Sequence, residues 1–221
     1  MKNIYLLLTL VGVMLTSTIS EASAQRAPLD TINDHEYCDQ HLTINVTQPC
    51  AHQNTTAPYK VGDYYNVNGK QGVVFEVSDG GRHGRIVSLD ETVAQWCTYE
   101  QYKKGIKLGL INKSDGKANT DKVMQRSDSY QYPAFVWCRK KGADWYLPAK
   151  DELMTIYNNK SKINSTLAEY NAELKRSFYW SSTESEGYKP EFCAWLVGMS
   201  NGSTCSLSKY YNYYVRAVSA F

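Results

Sequence analysis

The dipeptide Asn201-Gly202 places the tightest local constraint on how this chain can fold. An Asn-Gly pair between two alternating segments is the strongest short-range signal for a β-hairpin with a two-residue type I′ turn. Trp195, Val197 and Met199 alternate with other residues before the pair, which is the pattern of a strand that buries one face. A two-residue turn also sets the register of the two strands. The register that it predicts pairs Ser200 with Ser203, Gly198 with Cys205 and Leu196 with Leu207.

The other face of this hairpin, together with the loop that follows it, is predicted to be exposed. Its side chains have the composition of a binding surface, because Tyr supplies contact area at low entropy cost and Ser, Gly and Asn supply adaptable hydrogen bonds. An ordinary solvated sheet face without a ligand is the alternative interpretation. The predicted ligand-binding residues are Leu196, Gly198, Ser200, Asn201, Ser203, Cys205, Ser206, Leu207, Ser208, Tyr210, Tyr211, Asn212 and Tyr213. The predicted partner is a protein or a glycan.

The N-terminal residues predict an export signal. Lys2 gives a short positive region, residues 4–15 are mostly apolar, and Ala22-Ser23-Ala24 resembles a signal-peptidase cleavage site. The apolar run is too short to span a bilayer. We therefore expect residues 1–24 to be removed and the protein to act at the cell surface, in the periplasm or after secretion.

The remaining chain divides by composition into an arm and one domain. Residues 25–58 are polar with little periodicity, and residues 59–221 carry the strand and helix signals. The formal net charge of +2 predicts neither nucleic acid nor an anionic membrane surface as a partner. No further segment is long and apolar enough to be predicted as a membrane span.

The first half of the domain predicts a three-stranded antiparallel start. Residues 61–65 and 72–77 are rich in β-branched and aromatic types, and Asn68-Gly69 between them favours a hairpin turn. Gly80-Gly81 predicts a second turn before a strand over residues 83–89. Asp90 then predicts the start of a helix over residues 92–104, which Gly105 ends.

The second half predicts short helices followed by strands. Helices are expected over residues 136–141 and 164–170, and another after Pro148 with Leu153, Ile156 and Tyr157 on one face. Strand patterns return from Phe178, and the last strand is expected over residues 214–220. The fold class is therefore α+β, with antiparallel strands at both ends of the domain and helices between them.

Two motifs stand in a distinctive order in this half. They are WYLPAKDEL over residues 145–153 and YWSSTE over residues 179–184, followed by Ala194-Trp195 and by Val215-Arg216. Together they resemble the domain at the C-terminus of a Legionella collagen-like adhesin, the DUF1566 group, and the resemblance covers residues 59–221. It implies a C-type-lectin-like fold, which formylglycine-generating enzymes also share, and an adhesin-like, ligand-binding function.

The tail is also similar to the variable regions of proteins that diversity-generating retroelements diversify in gut Bacteroides. In those systems template adenines are mutated, so that AAC codons become NNC codons, which exclude Lys, Glu, Gln, Met and Trp. All the predicted ligand-binding residues are of types that NNC codons encode. Trp195, Met199 and Lys209 are excluded types and would be constant positions of the frame.

The six cysteines permit disulfides in an exported chain without requiring them. Cys38 and Cys50 flank a short polar loop and are one candidate pair. Cys97 and Cys138 are interpreted either as small buried side chains or as a bridge. The hairpin register keeps Cys193 and Cys205 from lying opposite each other, which favours two unpaired thiols.

Catalytic and metal motifs are not found in the sequence, which has no H-E-x-x-H, G-x-S-x-G or P-loop pattern. No enzyme activity, metal or cofactor is predicted. The calcium-binding motifs of sugar-binding lectins are missing too, so binding is expected to be calcium-independent. His35, His41, His52 and His83 are interpreted as solvated or structural. A Cys-dependent enzyme related to formylglycine-generating enzymes is the weakest alternative.

A fixed adhesin or structural subunit of a surface assembly, with the arm as its attachment segment, is the stronger alternative. Ser181, Ser182 and Thr183 are predicted to be buried scaffold residues that hydrogen-bond the loops of the domain. Arg216 is expected to pair with a carboxylate such as Glu184 and so hold the last strand.

Overall fold

The computed structural model of the chain describes residues 58–187 and 189–221. The predicted export signal, all of the predicted arm except Pro58, the candidate pair Cys38 and Cys50, and three of the histidines lie outside the described residues. The described part contains a single sheet with helices packed on both of its faces. None of its helices is long and apolar enough to cross a membrane.

The sheet has seven strands in the order β1-β2-β3-β7-β4-β5-β6. The strands are β1 (Tyr64–Val67), β2 (Lys70–Ser78), β3 (His83–Gln95), β4 (Phe178–Glu184), β5 (Cys193–Gly198), β6 (Thr204–Ser208) and β7 (Asn212–Ala220). The helices are α1 (Tyr99–Lys103), α2 (Gly116–Met124), α3 (Pro133–Arg139), α4 (Lys150–Asn158) and α5 (Lys160–Ala168), with 3₁₀ turns at Asp79–Gly81 and Ser129–Gln131. The predicted α+β class is confirmed.

The predicted three-stranded start is confirmed as β1, β2 and β3, which pair antiparallel in chain order. Asn68 and Gly69 join β1 to β2 with φ values of 52° and 79°. Positive φ at both positions is the requirement of a type I′ turn, and Asn and Gly are the residues that accept it most readily.

The predicted helix over residues 92–104 is wrong in its first half. Strand β3 continues to Gln95 because its second half pairs with β7, with Glu91 opposite Arg216 and Gln95 opposite Asn212. Helix α1 begins only at Tyr99, after the Thr98 side chain accepts a hydrogen bond from the Gln101 N–H. Pairing with a strand more than a hundred positions away has overridden the local capping signal.

The two ends of the domain form one sheet because β7 lies between β3 and β4. The contact of β4 with β7 is parallel, at Tyr179 and Tyr214, whereas the other strand pairs are antiparallel. Of the predicted helices, the one after Pro148 is confirmed as α4, which buries Leu153 and Ile156. Helices α3 and α5 begin a few residues earlier than predicted, and α2, which has little apolar periodicity, was not predicted.

Apolar side chains cover both faces of the sheet. On one face, helix α3 packs against the sheet, and the buried cluster between them includes Trp96, Phe135 and Trp180. On the other face, helices α4 and α5 pack a cluster that includes Val197 and Met199. Val197 and Met199 are therefore buried as the alternation predicts, and Trp195 beside them is half-buried.

The predicted exposure of Leu196 and Gly198 is wrong. Leu196 is 0% exposed and belongs to the cluster around Trp96 and Trp180. Gly198 is buried, and a Cβ there would lie 3.2 Å from the Phe178 ring. Residues 192–199 are apolar or glycine at every position, and such a continuous run is typical of a strand that is covered on both faces.

The predicted two-residue turn at Asn201-Gly202 is also wrong. The Gly198 N–H donates to the Ser203 carbonyl and the Gly202 N–H donates to the Gly198 carbonyl, both at 2.8 Å, so the turn spans residues 199–202. The pairing is shifted by two residues from the predicted register, so that Leu196 lies opposite Cys205 instead of Leu207. The side chains keep their predicted faces because the period of a strand is two. The observed pairs are Cys193 with Ser208, Ala194 with Leu207, Trp195 with Ser206, Leu196 with Cys205 and Val197 with Thr204.

Candidate recognition surface at the C-terminal hairpin

The predicted ligand-binding residues fall into three groups by exposure. Ser200, Asn201, Ser203, Tyr211 and Asn212 are exposed. Half-buried members are Cys205, Ser206, Leu207, Ser208, Tyr210 and Tyr213, and the buried members are Leu196 and Gly198. The exposed residues lie at opposite ends of β6, which separates them by about 17 Å for a strand of this length. The exposed members of the predicted set therefore form two small regions, one at each end of the edge strand β6.

Tyrosine rings from two separate parts of the chain meet at the end of β6. Tyr210 packs its ring on Tyr102 and Tyr99 of α1, with centroids 4.5 and 5.4 Å apart, and on Tyr211 at 4.4 Å. Tyr99 is 51% exposed and Tyr211 is 44% exposed. We call these four residues the tyrosine cluster.

Sequence reasoning missed the contribution of α1 to this cluster. Tyr99 and Tyr102 stand three positions apart, which places both on one face of a helix. That spacing is visible in the sequence, but the predicted longer helix gave no reason to bring it near residue 210. Phe192 extends the aromatic contacts behind Tyr102, at a centroid distance of 5.1 Å.

Tyr213 does not belong to the cluster. Its ring packs edge-on against Trp180 at 5.3 Å and near Phe178 at 6.4 Å, and burial raises the pKa of its hydroxyl. The Trp180 indole N–H donates to the Tyr211 carbonyl at 3.3 Å. These contacts fix the position at which the loop enters β7.

A buried ion pair fixes the other end of the same loop. Lys209 and Glu184 are 2% and 1% exposed, and the Lys209 ammonium donates to the Glu184 carboxylate at 2.6 Å. The ammonium also donates to the Pro190 carbonyl at 2.8 Å and lies 4.6 Å from the centre of the Trp96 ring. Burial lowers the pKa of Lys209, and the Glu184 carboxylate opposes that shift. Lys209 is thus an anchor of the frame directly before Tyr210.

Arg216 pairs with a carboxylate of the neighbouring strand, as expected, but its partner is Glu91 and not the suggested Glu184. Glu184 accepts the N–H groups of Leu108 and Leu110 at 2.9 and 3.0 Å in addition to Lys209. Arg216 instead pairs with Glu91, the residue opposite it in the ladder, at 2.9 Å.

The scaffold role predicted for the YWSSTE motif is confirmed. The Ser181 hydroxyl donates to the Trp195 carbonyl at 2.8 Å, and the Thr183 hydroxyl donates to the Asn112 carbonyl at 2.9 Å. Ser182 accepts a hydrogen bond from the Asn119 amide at 3.1 Å. All three residues are 0% exposed, which makes them part of the support beneath the hairpin.

The two cysteines of the C-terminal hairpin, Cys193 and Cys205, are unpaired, as predicted. Cys193 lies opposite Ser208 and Cys205 lies opposite Leu196, so the two point to different faces of the sheet. Burial raises the pKa of both thiols, which lowers their reactivity. Cys97 and Cys138 are also free and buried. Within the described ranges no group of three or more His, Cys, Asp or Glu side chains is placed to hold a metal ion.

Comparison with known proteins adds a family and a structural neighbour. Residues 91–219 match the family described as the Lcl C-terminal domain, and this range is more than half of the 221 residues. The fold is similar to that of a fimbrial protein from Bacteroides ovatus, with a TM-score of 0.56 and 18% sequence identity. The match covers 74% of this chain and 49% of that protein, so the chain spans about half the length of its neighbour. No curated protein matches the sequence.

Proposed function

This chain belongs to the Lcl C-terminal domain family, and from that premise we propose that it is an exported, adhesin-like protein that binds a ligand with its C-terminal hairpin region. The observation that carries the proposal is the exposed tyrosine cluster on a firmly held frame. Tyrosine rings that are ordered before binding provide contact area without a large loss of side-chain entropy. The ligand is a protein or a glycan.

The contacts beneath the tyrosine cluster support this proposal because they hold the backbone that carries the four rings. The Gln101 amide of α1 donates to the Tyr132 hydroxyl at 2.8 Å and to Asp128 at 3.1 Å. The buried Lys209 holds the chain just before Tyr210. A platform that is fixed on both sides pays less entropy on binding than a mobile loop would.

The fimbrial neighbour favours a second candidate function. A domain with a related fold occurs in a fimbrial protein, which fits a fixed structural subunit of a surface assembly. In that case the tyrosine cluster would contact another subunit instead of a separate ligand. The finer fold assignment, a C-type-lectin-like domain, also belongs to our proposal and is supported by the α+β architecture and the family.

The most specific part of the proposal is that a retroelement diversifies the tail. The exposed positions at the turn and at Tyr211 and Asn212 accept many side chains without a change of the core, whereas Met199 and Lys209 are buried. The buried Leu196 and Gly198 fit variation poorly, and we leave them out of the proposed variable set. Sequencing the 3′ end of the gene and its flanks across a natural population tests this part. A uniform tail with no template copy or reverse transcriptase nearby would contradict it.

Two substitutions test the binding surface directly. We expect the double variant Tyr99→Ala and Tyr211→Ala to lose binding to immobilised glycans and to displayed peptides, with little change in Tm, because both side chains are about half exposed. Tyr170→Ala is the matched control, since it removes a ring that stacks on Tyr64 at 4.9 Å beside the opposite edge of the sheet. Equal loss of binding in both variants would contradict the proposed site.

A further inference from the structure

Strand β6 forms one edge of the sheet and lacks the features by which edge strands usually avoid new partners. Its five residues include no charge and no proline, and it pairs with β5 without a shift in register. At the other edge, β1 is flanked by neighbouring structure. The Thr166 hydroxyl of α5 donates to the Gly62 carbonyl just before β1, and Tyr170 stacks on Tyr64. The two edges therefore differ in how well they are protected.

Alternate residues of β6 direct their backbone groups away from the sheet. The Gly198 N–H donates to the Ser203 carbonyl at 2.8 Å, and the Lys209 N–H donates to the Phe192 carbonyl at 2.9 Å. These two bonds mark hydrogen-bonded pairs at both ends of the β5–β6 ladder, and such pairs alternate in an antiparallel ladder. The residues of β6 whose N–H and C=O point outward are therefore Thr204, Ser206 and Ser208.

Most of these outward groups have no partner among residues 58–187 and 189–221. The Ser208 carbonyl accepts the Tyr211 N–H at 3.1 Å. No hydrogen bond from the described residues reaches the outward N–H or C=O of Thr204 or Ser206. These groups repeat every second residue, about 7 Å apart, which is the repeat of another extended polypeptide chain.

We propose that the ligand is a polypeptide that adds an extended segment to β6 as an additional strand. This inference rests on the proposed function, since it names the class of ligand that the same surface binds. Main-chain hydrogen bonds to Thr204 and Ser206 supply the affinity, as in other cases of strand addition. The tyrosine cluster lies just beyond the end of β6 and contacts the side chains at the end of the added segment.

Strand addition also fits a surface whose side chains vary. Main-chain hydrogen bonds do not depend on side-chain identity, so a change at Ser206 or Ser208 alters preference and keeps the docking geometry. The side chains of alternate residues contact different faces of an added strand, which gives each position its own neighbour in the ligand. A glycan has no such ladder of donors and acceptors, so it makes no use of the outward groups of β6.

The test compares Ser206→Pro with Ser206→Ala in the exported full chain. Proline removes the outward N–H of Ser206 and leaves the bonds to β5 in place, because Ser206 is at a position that does not bond to β5. The probes are a displayed library of decapeptides and an array of glycans. We expect peptides selected by the wild type to bind Ser206→Pro at least about tenfold more weakly, and Ser206→Ala with unchanged affinity.

A second measurement leaves the protein unaltered. Selected peptides are synthesised with N-methyl groups on either the odd or the even residues, which removes backbone donors from one edge of the peptide at a time. We expect one series to lose binding and the other to keep it, because only one edge of an added strand faces β6. Equal binding of both series would overturn strand addition even if Ser206→Pro failed to fold.

The remaining outcomes separate this inference from the proposed function. Binding to glycans alone, lost in the Tyr99 and Tyr211 variant but kept in Ser206→Pro, would overturn the inference and leave the proposed function intact. A wild-type dimer that Ser206→Pro separates would show that a second copy of the chain occupies the edge, which also overturns it. A chain that binds neither probe would contradict the proposed function itself.

Discussion

The same dipeptide, Asn-Gly, stands at the tips of the first and the last hairpins of this sheet, and it forms different turns in the two places. At the first tip, Asn68 and Gly69 both have positive φ, and Val67 pairs directly with Lys70. At the last tip, only Gly202 has positive φ, and the turn takes in two further residues. Local sequence is therefore an incomplete guide to the turn that forms.

Tertiary contacts explain the difference between the tips. The Met199 N–H donates to the Ser177 carbonyl at 2.8 Å, and the Met199 side chain is buried, which draws this residue out of the hairpin ladder. A Cβ placed on Gly202 would lie 2.4 Å from the Tyr157 ring, whereas a Cβ on Gly69 would meet nothing within 4 Å. A free tip follows its turn propensity, and a packed tip follows its neighbours.

The largest difference in stability between the two hairpins is expected when a lysine of each one is replaced. Lys209→Met leaves the buried Glu184 carboxylate without its cation, and we expect the free energy of unfolding to fall by about 3–5 kcal/mol. Lys70→Met at the first hairpin removes a pairing with the exposed Asp144 at 3.5 Å, and we expect a loss of about 1 kcal/mol or less. Urea unfolding of both variants measures the difference.

Partial recovery provides the control for this prediction. Adding Glu184→Gln to Lys209→Met removes the unpaired charge, so stability should rise again relative to the single variant. Similar losses for Lys209→Met and Lys70→Met would show that the C-terminal anchor is no stronger than a surface ion pair.

Replacing the glycine at each hairpin tip should give a smaller difference in the free energy of unfolding. Gly202→Ala combines a positive φ with a clash against Tyr157, and we expect it to lower the free energy of unfolding by about 2–4 kcal/mol. Gly69→Ala has only the backbone penalty, and we expect a loss of about 1 kcal/mol. Thermal or urea unfolding checks the order, and a larger loss at Gly69 would contradict the packed-tip explanation.

Neighbouring tyrosines of the last hairpin sharpen the comparison further. Tyr213→Ala removes a ring that packs on Trp180, and we expect a loss of about 1–3 kcal/mol in the free energy of unfolding. Tyr211→Ala removes a ring that is 44% exposed, and its effect on stability should be within about 0.5 kcal/mol. If Tyr211→Ala were the more destabilising variant, the division between frame and recognition surface would be wrong.

The smallest effect is expected from removing calcium. We expect Tm and peptide binding to be unchanged when a chelator is added to the purified chain, because the sequence lacks the calcium motifs of sugar-binding lectins. Titration with calcium chloride after chelation is the control. A rise in Tm with calcium would contradict the expectation, since an ion that binds only the folded state stabilises it.

Much of the fold was predictable where signals are local. The Asn68-Gly69 turn and the apolar face of α4 with Leu153 and Ile156 both follow from residues close in sequence. The end of β3 was not predictable, because pairing of Gln95 with Asn212 joins distant parts of the chain.

The candidate site divides in the same way. Its polar and tyrosine-rich composition is a property of the sequence, and so is the spacing of Tyr99 and Tyr102 on one helical face. Their contact with Tyr210 exists only because β3 delivers α1 to the end of β6. Likewise, nothing local distinguishes Lys209 from a solvated lysine, and only the surrounding fold makes it a buried anchor.

The sequence by itself determined the periodicities, the turn-prone residues and the family motifs, because these depend on neighbours within a few positions. Only the tertiary structure decided that Lys209 is buried, that Arg216 pairs with Glu91 and that β6 is left at an edge. Each of these depends on which distant segments cover a given face, since burial and pairing are properties of the assembled sheet.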